Sequence, residues 1–160
     1  MRISKMEKEI TTELSNTILL ILPGENHEAA KKAAFQYAKA YSKKLVVLQI
    51  LTSILYHYGH HDVIATRSSK RQFLLHIRQE VLRKGITEAQ GLRERAVEEG
   101  ISLEIHSVET EDIVSVALSE AIKDYEVIFL PKEKRKIFPF FEKTLEQQLE
   151  KKVSSRIIPC

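Results

Sequence analysis

The chain predicts a doubly wound α/β sandwich, one parallel sheet with helices on both faces. Two continuous apolar runs carry that reading, ILLIL at residues 18–22 and LVVLQIL at residues 45–51. Each is too short for a membrane span and apolar on both sides, the pattern of a central strand that helices cover from above and below. Between them Pro23-Gly24 stops the first run, Glu25-Asn26 supplies turn and cap chemistry, and an Ala-rich amphipathic pattern follows to Tyr41. A strand–helix–strand unit of this kind crosses over right-handed. Open α/β sheets hold ligands at such turns, outside the carboxyl ends of the strands.

The first helix presents Ala30, Ala33, Ala34, Tyr37, Ala38 and Tyr41 as its packing face, with Lys31, Lys32 and Lys39 placed elsewhere. After the second strand, residues 52–69 show little periodicity. Residues 67–100 then form a long helical pattern in which Leu74, Ile77, Val81, Ala89, Leu92 and Ala96 recur at three-to-four spacing. Gly85 lies on that stripe and Gly91 soon after. Each costs about 1 kcal/mol in a helix interior, so one long helix with a weak or bent middle is expected, or two helices with a break near Gly85. Gly100 is placed to end the helix in a left-handed cap.

Residues 101–108, ISLEIHSV, alternate apolar and polar side chains and predict a strand near the sheet edge. Thr110-Glu111-Asp112 caps a helix whose stripe is Ile113, Val114, Val116, Ala117, Ala121 and Ile122. Residues 126–130, EVIFL, form the fourth strand, ended by Pro131. A basic loop, KEKRKIFPFF, a charged helix to about Lys152 and a short strand near residues 156–158 complete a βαβαβαβαβ order. Residues 1–16 read as a polar extension, frayed or lightly docked, and residues 17–160 as a single domain.

Composition bounds the function. Of 160 residues, 43% are hydrophobic and 29% charged, which is the balance of a globular chain. The net charge of +3 comes from interleaved signs, so no polyanion partner is implied and nucleic acid is not expected. No run approaches the roughly 20 apolar residues of a membrane helix, and the first residues lack the apolar core of a signal peptide, so a cytoplasmic location is expected. The one cysteine, Cys160, excludes an intramolecular disulfide and a multi-cysteine metal site.

Several features together resemble the universal stress protein family across residues 17–160. The turn LPGENHEAA stands where the family has V-P-x-D-G-S-x-x-A. The segment Glu109-Thr110-Glu111-Asp112 stands at its E-G-D-P turn, residues 126–131 at its D-[LV]-I-V-M-G strand, and SSRIIPC at its A-P-C-P-V-[LV]-V-V ending. The resemblance implies a five-stranded parallel sheet in the order 3-2-1-4-5, the adenine nucleotide alpha hydrolase-like arrangement. It also implies a homodimer paired through the last strand.

Departures from the family decide the functional expectation. Nucleotide-binding members carry G-x2-G-x9-G-[ST] after the fourth strand, where glycines let backbone N–H groups cradle phosphate. The corresponding positions here are Pro131, Lys134 and Lys143 or Thr144, and no glycine follows Gly100. Pro131 also lacks an N–H. The family's aspartate position holds Glu25, and its following glycine position holds Asn26. The degenerate site is therefore Pro23, Gly24, Glu25, Asn26, His27, Pro131, Lys132, Lys134 and Thr144. The expectation is a non-catalytic regulatory dimer without ATP bound in the usual way and with no cofactor. The alternative is a nucleotide or anion sensor that uses the basic loop, with lysines as point charges, and a weaker alternative is an enzyme of the wider α/β nucleotide-binding class.

Other constellations are weaker. His57, His60, His61 and Asp62 sit in one turn-prone loop, read either as a solvated polar loop or as imidazole and carboxylate ligands for a metal. Lys132 to Lys136 beside Ile137, Phe138, Phe140 and Phe141 read as a solvated loop or a surface for a phosphate-rich partner. Arg67, Lys70, Arg71, Arg78, Arg83 and Lys84 are spread around the long helix, which suggests a solvated face. Glu25 with His27 has the chemistry of an acid/base pair, but no nucleophile elbow, H-E-x-x-H or Walker loop accompanies it, and no catalytic residue is assigned.

Overall fold

A computed structural model describes residues 16–24, 27–52, 67–132, 145–153 and 156–160. Its elements are β1 (Thr17–Pro23), α1 (Glu28–Tyr41), β2 (Lys44–Leu51), α2 (Arg67–Glu99), β3 (Leu103–Glu109), α3 (Ile113–Ala121), β4 (Val127–Leu130), α4 (Leu145–Lys152) and β5 (Arg156–Pro159). The strands pair in parallel in the order β3-β2-β1-β4-β5. The order is the one implied by the resemblance. Among the described residues no helix is long and apolar enough to cross a membrane. Residues 1–15 lie outside the described part.

β1 is the centre of the sheet and is buried along its whole length. Ile18, Leu20 and Leu22 pack with Ala30, Ala34, Phe35 and Ala38 of α1 and Leu92 and Ala96 of α2. Leu19 and Ile21 point the other way, into a second core with Ile113, Ala117 and Ala121 of α3 and Leu149 of α4. Alternation of side chains across a strand makes two cores from one apolar run. β3 lies at one edge, with alternating exposed and half-buried residues, and β5 at the other.

The helices follow their predicted spans but not every predicted face. In α1 Phe35 is fully buried, while Tyr41 is 62% exposed. Tyr41 lies in the last turn of α1, where its ring meets that of Tyr37 at a tilt of 44° with 4.5 Å between ring centroids. Lys31, placed off the packing face by sequence, is buried because α2 supplies a carboxylate for it. In α3 Ile122 is exposed and Glu120 takes an inward position, bonded to the Tyr125 hydroxyl and, at 2.9 Å, to Lys123 Nζ. Asp112 is the α3 N-cap, its Oδ1 accepting from the Ser115 N–H at 3.1 Å.

α2 is one continuous helix of 33 residues through both glycines. A Cβ on Gly85 would stand 2.6 Å from Leu51 Cδ2, so the missing side chain is what admits the end of β2. The buried stripe is Val81, Gly85, Ala89, Leu92 and Ala96. Leu74, on the same stripe by spacing, is 43% exposed because it precedes the point where the helix meets the sheet. The helix closes in a Schellman turn: Gly100 has φ 67°, Ile101 N–H donates to the Ala96 carbonyl at 2.8 Å and Gly100 N–H to Val97 at 3.3 Å.

Two glycines of the same helix should therefore respond oppositely to alanine. Gly91 is exposed with open space at its Cβ position, so Gly91→Ala should stabilise the fold by about 1 kcal/mol through helix propensity alone. Gly100→Ala should destabilise it by about 1 kcal/mol, because the left-handed backbone is strained for a Cβ. Urea unfolding midpoints of the two variants check the opposite signs; equal signs would refute the account.

Candidate functional site

The carboxyl edge of the sheet is where the chain divides. β1 leads into α1 on one face, whereas β4 leads towards α4 on the other, so the gap beyond β1 and β4 is the topological switch point at which such sheets bind ligands. The β1–β4 ladder pairs Ile18 with Val127 and Leu20 with Phe129. In that register Pro131 and Lys132 emerge beside the Leu22–Pro23 end of β1. Five of the predicted site residues are thus at this edge: Pro23, Gly24 and His27 on one wall, Pro131 and Lys132 on the other. Glu25, Asn26, Lys134 and Thr144 lie outside the described residues. So do His57, His60, His61 and Asp62, and among the described residues no group of three or more His, Cys, Asp or Glu is placed to hold a metal.

The first wall is tied down by its own backbone. Gly24 has φ 83°, a conformation that favours glycine, and donates its N–H to the Ile50 carbonyl at 3.2 Å. His27 Nε2 lies 2.7 Å from the Pro23 carbonyl oxygen and closes the turn as a donor. It is also the α1 N-cap position, yet its side chain makes no cap bond to the helix. With one ring nitrogen bonded to the main chain, His27 serves first as a brace of the turn.

The second wall has no spare backbone donors at its start. Pro131 is buried and has no N–H. Lys132 donates its N–H to the Cys160 carbonyl at 2.7 Å, and Cys160 donates back to Leu130 at 2.8 Å. The β4–β5 ladder is thereby prolonged into the segment where a phosphate cradle would have to begin. What remains for an anion at these two positions is the exposed Lys132 side chain.

Behind β2 lies a polar network that the sequence reading did not single out. Gln49 is 1% exposed, in a strand otherwise packed with aliphatic side chains. Its amide donates to the Gly85 carbonyl at 2.9 Å and lies 3.4 Å from Glu88 Oε2, while its carbonyl accepts from Ser107 Oγ at 2.8 Å. Glu88 in turn holds Lys31 Nζ at 2.6 Å, and Lys31 reaches Glu28 at 3.0 Å. Burial pulls the Lys31 amine down, but the Glu88 and Glu28 carboxylates outweigh it and leave its pKa above the ordinary value. The chain of bonds ties β3, β2, α2 and α1 together one residue from Ile50, the partner of Gly24. Its only sequence signal was the lone glutamine inside LVVLQIL.

By sequence the chain matches no protein-family model and no curated relative. Its architecture, however, matches solved structures along nearly their whole length. One is a protein of the universal stress protein family from Burkholderia pseudomallei, 15% identical with a TM-score of 0.58, covering 92% of this chain and 96% of the other. The fold is that of the universal stress proteins. Further structures with this fold include a universal stress protein in complex with cAMP, at 13% identity and TM-score 0.53, covering 90% of this chain and 94% of that one. Another is an Arabidopsis thaliana family protein with AMP bound, at 14% identity and TM-score 0.52, covering 89% of each chain. On this fold the Gln49 network sits beneath the carboxyl ends of β1 and β2, one residue from Ile50, which accepts the Gly24 N–H.

The network predicts coupled losses. Lys31→Met and Glu88→Gln should each destabilise the protein by about 1–3 kcal/mol, since each strands a buried polar partner. The double variant should lose less than the sum, by at least about 0.5 kcal/mol. Because the folded Lys31 pKa lies above the unfolded one, the pair's contribution is complete below the ordinary lysine range and is lost as pH rises through the folded value. Urea midpoints of wild type and Lys31→Met, followed from about pH 7 to pH 11, should therefore converge only at the alkaline end.

Proposed function

We propose that this chain is a non-catalytic regulatory protein of the universal stress type whose phosphate wall is rebuilt, so that ATP is not held in the usual way. The observation that carries this reading is the backbone after β4: Pro131 has no N–H and that of Lys132 is taken by Cys160. Neutral phosphate cradles work through several convergent N–H groups, and this segment starts with none to offer. The lack of any glycine beyond Gly100 supports the same reading. Residues of an enzyme site are not assigned, and His27 is engaged with Pro23.

A second reading has its own support. Proteins of the same fold have been solved with cAMP and with AMP, ligands with one phosphate and so less need of a long cradle. A mononucleotide here would rest on the Gly24 turn, with Glu25 towards the ribose and Lys132 and Lys134 as point charges for the phosphate. In either reading β5, an edge strand, is the place for a second copy to pair.

Nucleotide titration separates the two. A ligand present at 100 times its Kd stabilises the native state by about 2.7 kcal/mol, which for a domain of this size raises Tm by roughly 5–10 °C. At about 1 mM, ATP with magnesium should leave Tm unchanged to within about 1 °C. A saturable rise with AMP or cAMP alone would support the mononucleotide reading, and a rise with ATP would overturn the first. Light scattering should give about twice the 18.4 kDa chain mass, and a monomer would rule out the β5 dimer.

A further inference from the structure

β3 ends the sheet with a full-length strand whose outer side is unpaired. It has seven residues, as many as the central β1, whereas β5 at the opposite edge has four. Its bonds to β2 start at the Ser102 carbonyl, which accepts from Leu45, and end at Thr110, which donates to Leu51. Alternate residues of a strand in a parallel ladder bond to one side, so the even-numbered residues of β3 face β2. The N–H and C=O groups of Leu103, Ile105 and Ser107 point outward, and no partner meets them among the described residues. No Pro, Gly or Lys in LEIHSVE blunts that edge, and the register with β2 runs through without a bulge.

The flank of α2 above the same edge is also uncovered. With Gly85 taken as the sheet-facing direction and about 100° per residue, the buried stripe lies within about 40° of it. Glu88 and Arg95 fall about 60–80° to one side, where they meet Lys31 and Phe35 of α1. Ile86 and Val97 fall about 100–120° to the other side, away from α1 and towards β3. Leu82, on that same side, shares a cleft with Glu109 of β3, which fixes the direction. Ile86 and Val97 are 70% and 82% exposed, the most exposed large apolar side chains among the described residues. An open strand edge and exposed aliphatic groups on the helix above it together mark an interaction surface.

We propose that two copies of this chain join edge to edge through β3, antiparallel about a two-fold axis at Ile105. A lone extended peptide could pair with β3 but would leave Ile86 and Val97 in water. The complementary partner presents a strand and a helix flank side by side, and the same edge of a second copy does so. Outward residues must face outward residues, so an antiparallel pair can centre on Glu104, Ile105, His106 or Ser107. The centrings on Glu104 and His106 set like groups face to face, and that on Ser107 sets His106 against Val108. Centring on Ile105 sets Glu104 opposite the partner's His106, twice, a favourable cross-strand pair. Glu104 already holds Lys44 at 2.8 Å and its own His106 at 2.6 Å, so the partner's imidazole joins an existing cluster. The contact is separate from β5 and does not rest on the reading of the phosphate wall. Both edges in use together would build an open array.

The test uses the full chain with Cys160→Ser, so that an introduced thiol is the only one. Glu104→Cys and His106→Cys are made in separate chains and mixed under mild oxidation. The two thiols meet across the edge at disulfide distance, while the other Glu104–His106 pair of the same interface stays intact. The mixture should give a disulfide-linked heterodimer in at least about fivefold higher yield than either variant alone, since like positions lie on the diagonal, about 7–8 Å apart. Ile86→Glu with Val97→Glu in both chains should cut that yield at least about tenfold with Tm unchanged, since both side chains are exposed. Tyr41→Ser removes an exposed ring at the end of α1, beside Tyr37, and should leave the yield as it was. The proposal is overturned by a mixture that cross-links no better than the single variants, by an unchanged yield in the Ile86/Val97 variant, or by an equal loss in Tyr41→Ser.

Discussion

The desolvation of β1 is the constraint on which everything else in this molecule depends. Ile18 through Leu22 are completely removed from water, at about 1.5–3 kcal/mol per aliphatic side chain. A strand can be dry on both faces only if its backbone is paired on both edges and helices cover both sides. β2 and β4 supply the pairing, α1 and α2 one cover, α3 and α4 the other. Once those positions are taken, β3 and β5 can only be edges, and the divergence of α1 and α4 from neighbouring strand ends creates the switch point. The cleft at the carboxyl edge is thus a geometric consequence of how the core is closed.

The same necessity explains which parts of the fold were legible in the sequence. Long apolar runs such as LVVLQIL and the stop at Gly100 report backbone constraints that are local, so the strands and the Schellman turn could be read directly. Side-chain faces depend on where neighbours stop. Tyr41 and Leu74 have the right spacing for the core, but Tyr41 falls in the last turn of α1 and Leu74 precedes the buried stripe of α2, and periodicity carries no information on where packing stops. Lys31 and Gln49 failed to register for a different reason. Each is polar, and a buried polar residue is recognised only when its partners are known; those partners, Glu88, Gly85 and Ser107, lie far away in sequence. The two walls of the candidate site were legible as strand ends, whereas the donors already spent there were not.

At the site, stability and binding compete for the same backbone groups. Each main-chain N–H has one bond to give. Lys132 gives its bond to Cys160, which lengthens the β4–β5 ladder by one step, and a cradle built from that N–H would have to break it. Glycines after β4 would let the chain leave the ladder early and turn its donors towards a ligand. Pro131 does the reverse: it removes a donor and fixes φ near −65°, so the segment leaves β4 in a set direction. At Pro131 and Lys132, then, the wall has no spare backbone donor and presents the charge of one exposed lysine. Lysine point charges attract anions without selecting their shape.

α2 concentrates this tension between scaffold and surface in one element. Its carboxyl-terminal half is a structural helix, held by Gly85 against Leu51, by Ala89, Leu92 and Ala96 in the core and by Arg95 over the Phe35 ring at 4.6 Å. Its amino-terminal half has the Arg78–Glu109 fork near its base and exposed leucines beyond. Isolated helices of about 14 residues are marginal in water, so the amino-terminal half owes its helicity to continuity with the packed half. Gln49, whose amide donates to the Gly85 carbonyl at 2.9 Å, fastens the packed half of the helix to β2.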